Sequence, residues 1–171
     1  MVANASLLIR NARILLPDGD FMNGDVQRQG GTIVQVINAH DADTQPPVST
    51  NDAVKEIDAQ GLTLLPGVID PQVYFRDPGL EYKEDRFTAS CACAKGGVTS
   101  FLEMPNTKPL TTTQATLDSK LQLAAQKALV NYGFLIGATP EVLPDLLEAD
   151  PTPGIKLFMG SMHGPLLNDD E

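Results

Sequence analysis

Residues 62–79 read LTLLPGVIDPQVYFRDPG, and this stretch decides how the rest of the chain is interpreted. The segment Leu62–Ile69 is almost continuously apolar, which is typical of a strand that is buried on both faces of a parallel sheet. Polar and aromatic side chains follow from Asp70 onward, where such a strand would end. Active sites of parallel α/β folds lie where strands end and loops begin, so residues 70–79 are predicted to border a functional site.

Units of strand, loop and helix continue towards the C-terminus. A helix is predicted over Glu84–Lys95, because the two glycines that follow it can take the left-handed cap conformation. Two further helices, over 113–128 and from 139 onward, begin with threonine caps, although Pro144 should distort or shorten the second. Further strands are predicted at three segments: Val98–Glu103, Val130–Ile136 and Ile155–Met159. This alternation predicts an α/β fold with a parallel sheet and right-handed crossovers.

The number of these strands indicates part of a larger fold. Four strands are about half of a closed eight-stranded barrel, which typically needs about 250 residues. Residues 61–171 are therefore predicted to be the N-terminal half of a (β/α)8 TIM-type barrel, in a chain that is truncated. Residues 1–60 carry short β-branched runs between turn residues, which predicts a small β-sandwich-like region. Its strands are expected at Leu7–Ile14, Thr32–Ile37 and Val54–Ile57, with a polar loop at Ala39–Asp52.

The composition argues against several classes of function. The chain has 171 residues and a formal charge of -10. Such an acidic surface repels phosphate groups, so binding to nucleic acid or to an anionic membrane is not expected. The sequence contains neither an apolar run of membrane-spanning length nor a secretory signal, which favours a cytoplasmic location. Cys91 and Cys93 are interpreted as small buried helix residues rather than a metal or redox pair.

Several separate blocks of this sequence resemble one enzyme family. They are 66–71 (PGVIDP), 75–79 (FRDPG), 81–85 (EYKED), 96–99 (GGVT) and 104–109 (MPNTKP). Their order and spacing are similar to those of the dihydroorotases, which are cyclic amidohydrolases. The resemblance implies reversible hydrolysis of dihydroorotate to N-carbamoyl-aspartate in pyrimidine biosynthesis, with zinc as the cofactor. In such chemistry a metal-bound hydroxide attacks a carbonyl that the metals polarise.

The resemblance also identifies the positions where zinc would be expected. The first two zinc ligands of the family are histidines two residues apart on the first barrel strand, and this spacing puts both on one face. In this chain the matching residues are Gln72 and Tyr74. A glutamine amide is a weak neutral donor, and a phenol must lose a proton with a pKa of about 10 before it binds a metal well. Zinc is therefore expected to be absent or weakly bound.

Other residues that match the family are present. Arg76 resembles the arginine that pairs with the substrate carboxylate, and Asn106 resembles the asparagine that shares this carboxylate. Lys156 resembles a lysine that is carbamylated and bridges two metals in related amidohydrolases, although some dihydroorotases use an aspartate as the bridge. The family's catalytic aspartate belongs to a later strand, so no catalytic residue is expected before Glu171.

Each of these residues also has a simpler interpretation. Arg76 would be a surface residue, Asn106 would hold its turn, and Lys156 would be salt-bridged or exposed at a strand tip. His40 and His163 lie in loop segments and are interpreted as solvent-facing.

The sequence leaves three functional hypotheses open. The first is a divergent dihydroorotase, which would act on a small molecule and form a homo-oligomer at full length. The second is a non-catalytic dihydroorotase-like scaffold of aspartate transcarbamoylase, which the loss of both histidines favours. The third is an allantoinase-like amidohydrolase, because Arg76 and Asn106 favour substrates of dihydroorotases or allantoinases over simple hydantoins. The chain by itself is expected to be inactive.

Overall fold

A computed structural model describes residues 6–40, 54–160 and 165–166. The chain divides into two compact units, Met1–Pro66 and Gly67–Glu171, and each is described by itself. Strands and helices are both present, which confirms the α/β class. His163 and most of the polar loop predicted at Ala39–Asp52 lie outside the described residues. Within the described ranges, no helix has the length and apolarity that crossing a bilayer would require.

The first unit is built on one mixed β-sheet. Its strands are β1 Ser6–Leu15, β2 Phe21–Gln29, β3 Thr32–Asn38, β4 Lys55–Asp58 and β5 Thr63–Leu64. β2 runs antiparallel to β1 and β3, whereas β4 and β5 pair with β1 in parallel. Ala12, Ile14 and Val26 form its buried core. The described part of this unit holds this single sheet, whereas a sandwich needs a second sheet packed against the first.

The strand β2 is the element of this unit that the sequence analysis misses. More than half of its residues are polar and it carries a glycine, which is why neither alternation nor β-propensity indicates a strand. The structure explains the glycine. A Cβ atom at Gly24 would lie 1.9 Å from the carbonyl oxygen of Ile37, so only glycine lets β3 approach closely at this point.

The second unit contains a parallel sheet whose strands follow the order of the chain. Its strands are β6 Val68–Val73, β7 Val98–Glu103 and β8 Asn131–Phe134, in the order β6-β7-β8. All pairings are parallel. The crossovers contain α1 Arg86–Gly96 and α2 Gln114–Lys127. A second, small sheet pairs β9 Ile136–Gly137 with β10 Ile155–Lys156 in parallel. In sequence, these two strands are separated by a 3-10 turn at Pro140–Val142 and by α3 Leu143–Glu148.

The helix ends follow from capping residues. The Asp85 carboxylate accepts hydrogen bonds from the backbone N–H groups of Phe87 and Thr88, so α1 begins two residues later than predicted. Gly97, with a φ of 81°, ends α1 in the left-handed conformation. Thr113 begins α2 with a capping box. Pro144 lies in the first turn of α3, where a missing N–H costs little, so it shortens the helix rather than bending it.

Two predicted strands have the wrong bounds. Within each of these apolar runs the chain leaves one sheet and joins another. Leu62–Ile69 is not one strand: it ends at Leu64 in the first sheet and resumes at Val68 in the second. Pro66 lacks an N–H for pairing, and a Cβ atom at Gly67 would lie 2.0 Å from the Thr99 hydroxyl oxygen.

The predicted strand Val130–Ile136 is likewise divided. The N–H of Leu135 donates to Glu103 in β7, whereas the N–H of Ile136 donates to Gly154 just before β10. The next strand, predicted over Ile155–Met159, ends at Lys156. Continuous apolarity therefore does not show which sheet a residue joins. The burial on both faces predicted for Leu62–Ile69 is also wrong, because Leu62 is 73% exposed and Ile69 is 62% exposed.

The core of the second unit lies between the parallel sheet and its two long helices. It comprises Val73, Phe75, Ala89, Phe101, Leu117, Ala124 and Phe134. The rings of Phe75 and Phe101 meet edge to face with centroids 4.6 Å apart. Because side chains alternate along a strand, Gln72 and Tyr74, which flank Val73 in sequence, face away from this core.

The second unit exposes apolar side chains in β6, in β10 and in the segment that follows β10. Ile69 is 62% exposed, Ile155 is 54% exposed and Met159 is 76% exposed. We expect the 171-residue chain to self-associate or to bind a hydrophobic dye, since exposed apolar patches of this kind are unusual in stable monomers. Light scattering after size exclusion and dye fluorescence measure this, and an Ile69→Ser/Met159→Ser variant should bind less dye. A dye-free monomer would contradict the expectation.

Candidate ligand-binding site

The loops that follow β6 and β7 pack against each other. They are called here the β6 loop (residues 74–85) and the β7 loop (residues 104–112). The N–H of Lys108 donates to the carbonyl oxygen of Pro78 at 3.0 Å. Gly79 has a φ of 89°, and a Cβ atom there would lie 2.1 Å from the Lys108 carbonyl oxygen. Arg76 and Asn106 each lie two residues from this contact, so the structure brings their loops together.

Gln72 and Tyr74 lie on one face, as their spacing predicts. The Gln72 side-chain amide donates to the Tyr74 hydroxyl at 3.3 Å. Val73 and Phe75 are buried on the opposite face, towards the helices. The two positions that carry histidines in the dihydroorotase pattern are therefore occupied by side chains that bond to each other.

Arg76 completes this row of side chains. Its guanidinium carbon lies 5.1 Å from the centre of the Tyr74 ring, which is a cation–π contact. Its φ is 69°, in the left-handed region that non-glycine residues rarely adopt. Such a conformation persists only where the surroundings hold it, and it is concentrated at functional sites.

These residues do not fit a zinc site. Gln72 and Tyr74 are poor zinc donors, and the Arg76 cation beside them disfavours a dication. The Asp70 carboxylate accepts the backbone N–H of Gln72 at 3.0 Å, so it holds the strand end. Among the described residues, no three His, Cys, Asp or Glu side chains are grouped closely enough to bind a metal ion.

Lys156 makes its ring contact with Phe158 rather than with this row. It ends β10, and its ammonium nitrogen is 5.0 Å from the centre of the Phe158 ring. No hydrogen bond, ion pair or ring contact joins it to Gln72, Tyr74 or Arg76 in the part of the chain that the structure describes.

Asn106 is half-buried in the β7 loop. The bonds that hold its turn come from neighbours: the Thr107 hydroxyl donates to the Pro109 carbonyl at 3.0 Å, and the Thr111 N–H donates to Pro105 at 2.9 Å. His40, in the first unit, is exposed and its N–H donates to the Asn38 side chain.

Beneath the loops lies a buried group of charged side chains that the sequence analysis misses. This charge cluster comprises the buried residues Asp77, Arg86, Glu103 and Lys120, together with the half-buried Lys127. Glu103 is fully buried and pairs with Arg86 at 3.0 Å and with Lys120 at 3.6 Å. Asp77, also fully buried, pairs with Lys127 at 2.8 Å. The cluster also packs on the Phe134 ring, which lies 5.0 Å from the Arg86 guanidinium carbon.

Burial shifts the pKa values of two side chains in the cluster, Glu103 and Lys120. It raises the pKa of Glu103, and the neighbouring cations only partly oppose this. It also lowers the pKa of Lys120 to about 8, against the attraction of Glu103. A signal for this cluster exists in the sequence, because Lys120 lies on the helix face of Leu117 and Ala124. A lysine on a buried face implies a partner but does not identify it.

Comparison with known proteins gives the family context. No protein-family model matches the chain. It is 39% identical over 126 residues to a dihydroorotase of Methanosarcina acetivorans, covering 72% of this chain and 27% of that protein. It is 34% identical over 179 aligned residues to an allantoinase of Enterococcus faecalis, covering 98% of this chain and 37% of that protein. This chain is a sequence relative of dihydroorotases and allantoinases.

The solved structures agree with this relationship. L-hydantoinase (dihydropyrimidinase) from Arthrobacter aurescens superposes with a TM-score of 0.80 at 26% identity, covering 95% of this chain and 35% of that one. The resemblance seen in the sequence is thus confirmed. The chain spans roughly a quarter to two fifths of the length of the proteins it matches.

The charge cluster makes a prediction about stability. Replacing Glu103 by glutamine leaves two buried cations without their shared carboxylate, so Glu103→Gln should lower the free energy of unfolding by about 3–5 kcal/mol. Urea unfolding followed by circular dichroism measures this. Glu148→Gln, at an exposed position of α3, is the matched control and should change stability by less than about 0.5 kcal/mol. Equal effects of the two changes would contradict the assignment.

The row of Gln72, Tyr74 and Arg76 makes a prediction about metal. After dialysis against metal-free buffer, the purified chain should carry well under one zinc per molecule by elemental analysis. The Gln72→His/Tyr74→His variant should bind zinc more tightly, because two imidazoles would share one face. Stoichiometric zinc that survives dialysis of the unmodified chain would show that it has other ligands.

Proposed function

We propose that this chain belongs to a dihydroorotase-like protein that binds its small-molecule ligand without hydrolysing it. The single observation that carries the proposal is the row of Gln72, Tyr74 and Arg76, in which the two metal positions hold weak donors while the arginine remains. The family reaction, reversible hydrolysis of dihydroorotate to N-carbamoyl-aspartate, needs a polarised carbonyl and an activated water. The protein is therefore proposed to recognise the ligand without converting it.

The architecture supports the proposal that Gly67–Glu171 is part of a (β/α)8 barrel. β6, β7 and β8 are parallel neighbours in chain order, with a helix in each crossover, which is the arrangement that a barrel repeats. In such a barrel, the loops at the carboxyl ends of the strands form the site. Residues 1–60 would then be the small β domain that precedes it. The expected cytoplasmic location and homo-oligomeric assembly stay predictions.

Binding is proposed to depend on Arg76 and Asn106. A guanidinium group can bind a carboxylate through two parallel hydrogen bonds, and an amide can donate a third. Support comes from the contact of Lys108 with Pro78, which joins their loops, and from the left-handed backbone of Arg76. Lys156 is proposed as a carbamylated metal bridge only if the chain proves to bind metal.

Two alternatives have specific support. An allantoinase-like function is favoured by the similarity to the Enterococcus faecalis allantoinase, which extends over 98% of this chain. A non-catalytic scaffold role beside aspartate transcarbamoylase is favoured by the loss of imidazoles at positions 72 and 74. Binding of dihydroorotate, of allantoin or of neither distinguishes the three.

A calorimetric titration tests the proposal. Dihydroorotate or carbamoyl-aspartate should bind weakly and should not be converted. Arg76→Ala should weaken binding by about 2–5 kcal/mol, because a desolvated carboxylate would lose its charge partner.

Arg13→Ala is the matched control, because Arg13 also lies against an aromatic ring, 4.0 Å from the centre of Phe21, but belongs to the first unit. It should leave binding unchanged. Binding that survives Arg76→Ala would show that Arg76 is a surface residue, and turnover would contradict the proposed lack of hydrolysis. Tight binding of allantoin alone would favour the allantoinase alternative.

A further inference from the structure

We propose that the buried charge cluster positions Arg76 and Asn106 for ligand binding, an inference that rests on the proposed function. The cluster contacts the backbone of both loops from below, although none of its side chains belongs to the row at the end of β6. Its members act through the loops and are positioning residues.

The β6 loop is held through Asp77, the residue that follows Arg76. The Arg86 guanidinium donates to the Asp77 carbonyl, and the Arg86 backbone N–H donates to the Asp77 carboxylate at 3.1 Å. Lys127 pairs with the same carboxylate. The main chain and the side chain of Asp77 are thus both fixed, which supplies the surroundings that the left-handed conformation of Arg76 requires.

The β7 loop is held through Met104, two residues before Asn106. The Lys120 ammonium donates to the Met104 carbonyl at 3.0 Å and to the Thr111 hydroxyl at 3.3 Å. Because Met104 and Thr111 lie near the two ends of the β7 loop, one buried cation fixes both ends. The loop that carries Asn106 therefore depends on where this ammonium lies.

Glu103 connects the contacts that hold the β6 loop with the contacts that hold the β7 loop. Its carboxylate oxygen Oε2 contacts both Arg86 and Lys120, so the cation that holds the β6 loop and the cation that holds the β7 loop share one counter-charge. The other oxygen, Oε1, has no hydrogen-bond partner among the described residues, and neither does Oδ1 of Asp77. Loss of one cation would thus leave Glu103 less well compensated and would loosen both loops.

The charge of Lys120 makes this arrangement sensitive to pH. The charged groups that face it are Glu103 from β7, Arg86 from α1 and Asp77 from the β6 loop, and the Phe134 ring lies 5.1 Å away. Burial lowers its pKa to about 8. As pH rises above this value, the Met104 carbonyl and the Glu103 carboxylate lose a charged partner. Ligand affinity should therefore fall with rising pH.

Stability should change in the opposite direction. The ordinary pKa of Lys120 is 10.5, so between about pH 8 and this value the unfolded chain binds the proton more strongly than the folded chain does. Stability contributed by this residue rises with pH wherever the unfolded state binds more protons. A residue that matters only for folding would not weaken ligand binding in this range.

The test is a set of calorimetric titrations with dihydroorotate as the probe, from about pH 6.5 to about pH 9.5. For the unmodified protein, the affinity should fall at least about fivefold across this range, a typical coupling between two sites. Lys120→Met should bind weakly throughout without the fall. Lys95→Met, at an exposed position in the last turn of α1, should behave like the unmodified protein. A fall that persists in Lys120→Met would overturn the inference.

Amide NMR spectra of the unmodified protein provide a readout that needs neither ligand nor variant. The amide signals of Arg76, Asp77 and Gly79 and those of Met104 and residues 106–108 should shift together with a midpoint near pH 8. If they do not, the positioning inference is wrong. If they shift together but dihydroorotate does not bind at any pH, the coupling of Lys120 to both loops stands and the proposed function is wrong.

Discussion

One buried carboxylate links the main parts of the second unit. Glu103 ends β7, and its side chain pairs with Arg86 in the first turn of α1 and with Lys120 in the middle of α2. A buried charge without a partner is strongly unfavourable, so the sheet and both helices must meet in the register that satisfies it. The apolar core of Phe101, Leu117 and its neighbours supplies the larger favourable free energy, but apolar contacts tolerate sliding. The ion pairs specify one arrangement.

The two faces of β6 separate the core and the charge cluster from the candidate ligand-binding site. Val73 and Phe75 point into the core beside the charge cluster, whereas Gln72 and Tyr74 occupy the opposite face. The loop that follows joins the faces, because Arg76 contacts the Tyr74 ring while Asp77 enters the cluster. A change of charge beneath the sheet can thus reach the ligand side through one peptide unit. No long pathway is required.

The sequence predicts those features that depend on local chemistry. Thr113 and the glycines at 96–97 locate helix ends, and the shared face of positions 72 and 74 follows from the geometry of a strand. Features that depend on distant partners are not predictable in this way. The division of Leu62–Ile69 follows from close packing of Gly67 on Thr99, and the burial of Lys120 is satisfied by Glu103 on another element. Helical periodicity indicates that Lys120 is buried but not which residue it meets.

Binding and hydrolysis make different demands on such a site. Recognition of a carboxylate needs a cation and well-placed amide donors, and a guanidinium group supplies these without a metal. Hydrolysis of an amide needs a polarised carbonyl and an activated water, both of which a bound metal ion can supply. In the proposed function, Gln72 and Tyr74 at the two metal positions leave the site without the second capacity, whereas Arg76 keeps its contact with the Tyr74 ring. The same phenol that is a poor metal ligand is a good surface for a guanidinium group. The residues at the end of β6 therefore favour a site specialised for recognition.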